Sequence, residues 1–185
     1  MSVKEISLPF NEDQLSDLRS GDRVLLTGSL FTARDAAHRR MFETLEAGGD
    51  LPISITGQTI YYVGPTPSKP GQVIGSAGPT TSGRMDKYAP KLIELGLKGM
   101  IGKGRRQQAV KDAMQKHKAV YFAAVGGAAA LIAKSIKKAE VIAYHDLGSE
   151  AIYHLEVERF PVIVINDIYG SDLYEEGEER FRIES

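Results

Sequence analysis

The 185-residue chain contains no cysteine. Disulfides, thiol catalysis and any zinc or iron–sulfur centre ligated by this chain's own cysteines are therefore excluded. The chain also lacks a charge imbalance. Its 23 Lys and Arg stand against 24 Asp and Glu, a formal net charge of −1. A surface built for nucleic acid is far more basic, so no nucleic-acid partner is expected. No apolar run approaches the ~20 residues that span a bilayer. Residues 1–10, MSVKEISLPF, lack the apolar core of a secretory signal. A cytoplasmic protein with no membrane partner is the expectation. HExxH, Walker A and complete GxGxxG patterns are missing, as are internal repeats and linkers. What remains is an ordinary globular composition, 42% hydrophobic and 25% charged. It predicts a single domain over residues 1–185, long enough to bury roughly 70% of its unfolded surface without a disulfide or metal staple.

Helical and strand-like patterns alternate through the middle of the chain, with β-rich flanks, which argues for one mixed α/β domain. A strand is expected at Val3–Leu8 and a helix at Asn11–Ser20, capped by Asn11 with Leu15 and Leu18 inward. Arg23–Leu30 reads as a strand and Thr32–Leu45 as a helix capped by Thr32. Leu51–Val63 reads as two strands broken near Gly57. Residues 64–84 hold four prolines and five glycines, a loop too long to be a plain connector. A helix is expected within Thr80–Leu95, with Met85, Tyr88, Leu92, Ile93 and Leu95 inward. Gly99–Ile101 reads as a strand, Arg105–His117 as a helix and Ala119–Val125 as a strand. Gly126-Gly127 then opens an Ala-rich helix to about Ile136. Three strands follow, Glu140–Tyr144, Ile152–Val157 and Pro161–Ile165. The acidic tail from about Ser171 is expected to be solvated.

Candidate chemistry concentrates in GSAGPTTSGR, residues 75–84. Its glycines let backbone amides approach a ligand, and Thr80, Thr81 and Ser82 add hydroxyls. Arg84 offers a fork for carboxylate or phosphate, and a following helix N-terminus would favour an anion. A capped turn with an exposed Arg is the plainer reading. A second group is Arg34-Asp35 with His38 one turn later. A cation in a first helical turn opposes the dipole unless an anion offsets it, and pairing with Asp35 would be one such offset. Lys103 lies between two glycines after an apolar strand, where α/β sites form, or is a solvent lysine in a turn. Arg105 and Arg106 read as surface charge. Gly126-Gly127 reads as close helix–sheet packing. His145, Asp146 and Glu150 either pair with the basic residues or cap a turn through Asp146 and Gly148. Four scattered histidines make an internal metal site improbable. Several cations, amides and hydroxyls with no acid–base dyad would bind a small polyanion, and they form half of an active site.

Five segments carry a family resemblance. TGSLFTARDAAHRRM, YYVGPTPSKPGQVIGSAGPTTSGRMDKYAP, LGLKGMIGKG, VYFAAVGGAAALIA and EAIYHLEVERFPVIVINDIYGSDLY together resemble the beta subunit of class I iron–sulfur fumarate hydratases and L-tartrate dehydratases. That subunit is equivalent to the C-terminal domain of single-chain forms. The resemblance implies a single swivelling β/β/α domain with a mixed sheet. It implies a cysteine-bearing alpha subunit that holds a 4Fe-4S cluster, with two alpha and two beta chains assembled. By motif position it implies that Arg34, Arg84 and Lys103 bind the carboxylates of a dicarboxylate substrate. It places the Thr80 hydroxyl beside the carbon that gains or loses a proton, and it implies no metal ligand in this chain. The expected activity is reversible hydration of fumarate to L-malate. An L-tartrate dehydratase beta subunit and a non-catalytic dicarboxylate-binding module are the alternatives.

Overall fold

The computed structural model describes residues 3–124 and 129–182. Strand β1 (Lys4–Ser7) leads to α1 (Glu12–Ser16). A reciprocal cap starts this helix. The Asn11 side chain accepts from the Gln14 amide, and the Gln14 side chain accepts from the Asn11 amide. Leu15 and Leu18 are buried, as their spacing predicts. Strand β2 (Arg23–Thr32) runs further than its apolar stretch indicates, and α2 (Asp35–Glu46) is capped at Arg34 rather than Thr32. Thr32 belongs to the sheet because its buried hydroxyl accepts from the Tyr153 amide at 3.1 Å.

Of the two strands expected over 51–63, only β3 (Thr59–Tyr61) forms. Ile53 and Ile55 are buried as an alternating pair should be, but the segment ends in a turn, with Gln58 N–H donating back to Ile55 O at 3.1 Å. A single 3-10 turn (Ser82–Met85) and the short α3 (Ala89–Glu94) replace the longer helix expected there, and Leu95 is exposed beyond its end. Next come β4 (Gly99–Gly102), α4 (Gln108–His117), β5 (Val120–Ala124) and α5 (Ala129–Ser135). Gly126-Gly127 lies outside the described residues.

The chain then enters β6 (Ile136–Ala143) and β7 (Ile152–Asn166). The last two expected strands are one. Leu26 pairs with Phe160 and Gly28 with Val157, so Glu158 and Arg159 together oppose Thr27. This is a β-bulge. Arg159 takes a left-handed φ of 53°, and its amide donates to Thr27 Oγ1 at 3.0 Å. The inward positions change from Leu155 and Val157 to Phe160, Val162 and Val164 across it.

Strands β1 to β5 run parallel in the order β1-β2-β3-β4-β5, and β7 is antiparallel to β5, β2 and β6. Because β7 bonds both β5 and β2, strands β2-β3-β4-β5-β7 close into a ring. Alternation along the strands divides the apolar side chains between its faces. Leu26, Leu30, Tyr61, Ile101, Phe122 and Phe160 share one cluster. Ile60, Tyr62, Met100 and Tyr121 join Met41, Ile93, Val110 and Met114 of α2, α3 and α4 in the other. Leu15 of α1 and Ile132 of α5 join the first cluster, so helices serve both faces of this mixed sheet, and the result is an α/β domain.

The tail is folded, not merely solvated. Buried Asp172 caps α6 (Leu173–Phe181), accepting from the Tyr174 amide at 3.0 Å. Lys111 of α4 meets Asp172 at 3.3 Å and Glu175 at 2.5 Å, and Arg105 pairs with Glu178. Tail acids thus neutralise cations on α4 and on the loop just before it. Among the described residues no helix is long and apolar enough to cross a membrane.

Candidate functional site

Parallel β2, β3 and β4 end at one edge of the sheet, and backbone hydrogen bonds lace those ends together. Ala33 N–H donates to Tyr61 O at 3.2 Å, Tyr62 N–H to Ile101 O at 2.8 Å and Thr80 N–H to Tyr62 O at 2.7 Å. Lys103 N–H donates to Thr80 O at 3.3 Å, and Ser82 N–H to Lys103 O at 2.8 Å. Thr81 and Lys103 therefore sit side by side in a parallel bridge. Arg34 follows the end of β2, Thr80 and Arg84 lie on the loop after β3, and Lys103 follows β4. Residues distant in sequence meet because parallel strands deliver their C-terminal loops to one edge.

Asp35 joins the two arginines. Its Oδ1 accepts from Arg84 Nε at 2.8 Å, and its Oδ2 lies 2.8 Å from Arg84 Nη2 and 3.5 Å from Arg34 Nε. Glu150 Oε1 lies 2.8 Å from Arg34 Nε. Arg34 Nε and Asp35 Oδ2 are buried, and their ion contacts are out of line for a hydrogen bond. The result is a chain of alternating charge, Glu150–Arg34–Asp35–Arg84. It offsets the unfavourable position of a cation at the start of α2. The expected Arg34–Asp35 pairing is the longer contact, and Asp35 is held chiefly by Arg84. Both acids approach the Nε sides of the guanidiniums. The far ends, including both terminal nitrogens of Arg34 and Nη1 of Arg84, make no hydrogen bond among the described residues. Five N–H donors per guanidinium leave an open fork on each.

Gly64 keeps room for this arrangement, since a Cβ there would lie 2.8 Å from Arg34 Nη1. Lys103 is exposed and Thr80 half-buried. Neither the Lys103 ammonium nor the Thr80 hydroxyl is held by a side-chain contact among the described residues. A cleft of about 270 Å³ adjoins Arg84, lined by Asp35, Arg39, Lys87, Tyr88 and Glu150. The single 3-10 turn after Thr81 contributes little helix dipole, so the cations rather than a helix terminus favour an anion here.

His38 lies behind Arg34, with its ring buried against Tyr62 and Tyr88. Its Nδ1 is 2.9 Å from Arg34 O, which only accepts, so Nδ1 carries the proton and buried Nε2 is bare. Burial pushes the imidazole down to about 4, with Arg106 nearby acting in the same sense. His38 is therefore neutral near pH 7 and supports the Arg34 backbone. Asp146 meets Arg40 of α2 through two hydrogen bonds of 2.7 Å, which ties the 3-10 turn His145–Glu150, and with it Glu150, to α2.

Arg106 is the largest departure from the sequence expectation. It is not surface charge: its side chain is wholly buried and pairs at 2.7 Å with equally buried Asp86. Its neighbour Arg105 is exposed, and nothing in the local pattern separates the two. The chain has no thiolate, and among the described residues no group of three or more His, Asp or Glu gathers closely enough to hold a metal ion. An iron–sulfur cluster does not fit this chain's own donors.

Residues 2–177 match the family model described as Fumarase C-terminus. The class I, anaerobic fumarate hydratase of Escherichia coli (strain K12) is 43% identical over 165 residues, 88% of this chain and 30% of that protein. Fumarate hydratase 2 of Leishmania major is 42% identical over 163 residues, 87% of this chain and 29% of that protein. A protein of Methanocaldococcus jannaschii named "Putative L(+)-tartrate dehydratase subunit beta" is 39% identical over 165 residues, 86% of this chain and 85% of that protein. The chain thus spans about 30% of the length of the fumarate hydratases it matches, and most of the subunit-length relative.

Proposed function

The chain belongs to the fumarase C-terminus family, and on that premise we propose that it is the beta subunit of a hydro-lyase that reversibly hydrates fumarate to L-malate. One observation carries this reading. Arg34, Arg84, Lys103 and Thr80 lie on loops that follow neighbouring parallel strands at one end of the sheet, and both terminal nitrogens of Arg34 and Nη1 of Arg84 make no hydrogen bond among the described residues. Cations spaced in this way suit two carboxylates on one small molecule. The chain supplies binders and a hydroxyl but no cluster ligand. In this reading a cysteine-bearing alpha subunit completes the site, carries the 4Fe-4S cluster, and assembles with this chain as two alpha and two beta subunits.

The guanidinium forks bind and orient the carboxylates. When a C–H bond next to one of them breaks, its electron pair spreads into that carboxylate, and the arginines and Lys103 stabilise the added charge there. In the hydration direction the same carbon receives the proton. The Thr80 hydroxyl passes that proton, and the surrounding cations favour its momentary oxyanion form. An isolated threonine is far too weak an acid to do so at neutral pH.

A tartrate substrate is the second reading. It is favoured by the M. jannaschii relative, which is a separate subunit of similar length. Arg84→Lys in the assembled enzyme tests the clamp, with fumarate and L-tartrate assayed in parallel. Lysine keeps the charge and loses the fork, so kcat/KM should fall by about 10- to 100-fold, the usual worth of a charged hydrogen bond. Near wild-type turnover would overturn the clamp. Turnover of tartrate alone would retain the chemistry and change the substrate.

A further inference from the structure

A buried polar group joins Ser82 and Asp86 to Gly104 and Arg106. Arg106 Nε donates to Asp86 Oδ1 at 2.7 Å, and the Gln107 amide donates to Asp86 Oδ2 at 2.7 Å. Arg106 Nη2 reaches Tyr62 Oη at 3.3 Å, and the guanidinium lies over the Tyr62 and Tyr121 rings at 5.3 and 4.8 Å. Tyr121 Oη donates to Gly104 O at 2.8 Å and lies 2.8 Å from Ser82 Oγ. Burial pushes both phenols up, so they stay protonated. The one Tyr121 proton goes to the carbonyl, which makes Ser82 the donor to Tyr121. Gly102 is required beneath this group, because a Cβ there would come within 2.0 Å of Ser82 Oγ and 3.0 Å of Tyr62 Cδ2.

We propose that Arg106 and Asp86, with Tyr121 and Ser82, are positioning residues that set the register of the Thr80–Arg84 loop against the Lys103 loop. This proposal rests on the hydro-lyase reading of the site. Every member lies on or beside one of the two loops. Ser82 stands between Thr80 and Arg84, and Asp86 follows Arg84 by two residues. Gly104 follows Lys103 directly, and Arg106 comes two residues later. None reaches the open side of the site. A buried ion pair is rarely more stabilising than apolar residues of the same size, but it accepts only a narrow geometry. Here that geometry joins the loop bearing Thr80 and Arg84 to the loop bearing Lys103. The backbone bonds between Ser82 and Lys103 and between Lys103 and Thr80 then fix where the hydroxyl and the ammonium stand.

The test is Arg106→Met with Asp86→Asn in the full chain assembled with its partner, since Asn keeps an oxygen for the Gln107 amide. Tyr121→Phe, which removes one hydroxyl, serves as the milder variant. Steady-state kinetics on the dicarboxylate and amide hydrogen exchange are read together. Positioning predicts a KM raised about tenfold or more in the double variant and several-fold in Tyr121→Phe. It also predicts faster exchange at Ser82 and Lys103, while β2 and β7 amides exchange as in wild type. Unchanged KM and unchanged exchange at Ser82 and Lys103 in either folded variant would overturn the proposal. Faster exchange throughout the domain at unchanged KM would also overturn it, by reducing the group to a structural one. Should the wild-type assembly show no hydro-lyase activity, that reading fails separately, and the exchange at Ser82 and Lys103 still decides whether the group holds the two loops.

Discussion

Asp35 is the residue on which the clamp geometry turns. Two guanidiniums this close repel each other, and the carboxylate between them offsets the repulsion while meeting both at their Nε sides. Asp35→Asn keeps the shape and removes the charge. We expect the KM for the dicarboxylate to rise at least fivefold, with a smaller fall in kcat, in steady-state assays of the assembled enzyme. An unchanged KM would mean that the arginines hold their positions without Asp35. His38 adds a pH dependence to stability on the acid side. Its folded value near 4 lies below the ordinary 6.5, so the unfolded chain binds more protons between those values. Its contribution is fully present above about pH 6.5 and is lost as pH falls toward 4, up to about 3 kcal/mol. Denaturant unfolding from pH 4 to 7 should show that slope, and His38→Asn should flatten it. Arg34, Arg84 and Lys103 were readable as candidates from the glycines and hydroxyls beside them, whereas Thr80 was set apart from its neighbouring hydroxyls only by the family resemblance. The pairing of Asp35 with Arg34 was also foreseen, but the Asp35–Arg84 pairing and the burial of Arg106 were not, because those partners lie 49 and 20 residues apart in the sequence. Charge type alone does not show which of two adjacent arginines turns inward.

The start of an element was legible where a periodic pattern and a cap agreed, as at Asn11 of α1, although that helix ends at Ser16 rather than Ser20 and buried Leu18 lies beyond it. They were misread where tertiary pairing decided the outcome. The inward positions of β7 change phase at Glu158–Arg159, so one bulged strand reads as two. Thr32 resembles a helix cap, but a hydrogen bond from Tyr153 draws it into the sheet. Gly64 tests how loop backbone and site are coupled. Gly64→Ala should displace Arg34 and raise the dicarboxylate KM about tenfold, with the melting midpoint little changed. A wild-type KM would show that Arg34 adjusts freely. At the C-terminus of α4, exposed Lys118 takes a left-handed φ of 54°. Lys118→Gly relieves that strain, so chemical denaturation should show a gain of about 0.5 kcal/mol after the entropy of glycine is counted.

At the scale of the whole molecule, the proposed function makes this fold one wall of a shared site. Three parallel strands bring cations and a hydroxyl to a common edge, a buried polar group holds the loops in register, and no thiolate is available for a cluster. The absence of cysteine means that this chain supplies no thiolate to an iron–sulfur cluster. The chain covers 85% of the M. jannaschii relative and 30% of the E. coli fumarate hydratase. The decisive measurement is anaerobic fumarate consumption by the purified chain, alone and after assembly with the cysteine-bearing chain captured with it. A shared active site predicts no turnover alone and oxygen-sensitive turnover in the assembly, abolished when Arg34 and Arg84 are both replaced by Met. Tight dicarboxylate binding by the chain alone, with no turnover of fumarate or tartrate in any assembly, would contradict it and leave a binding module.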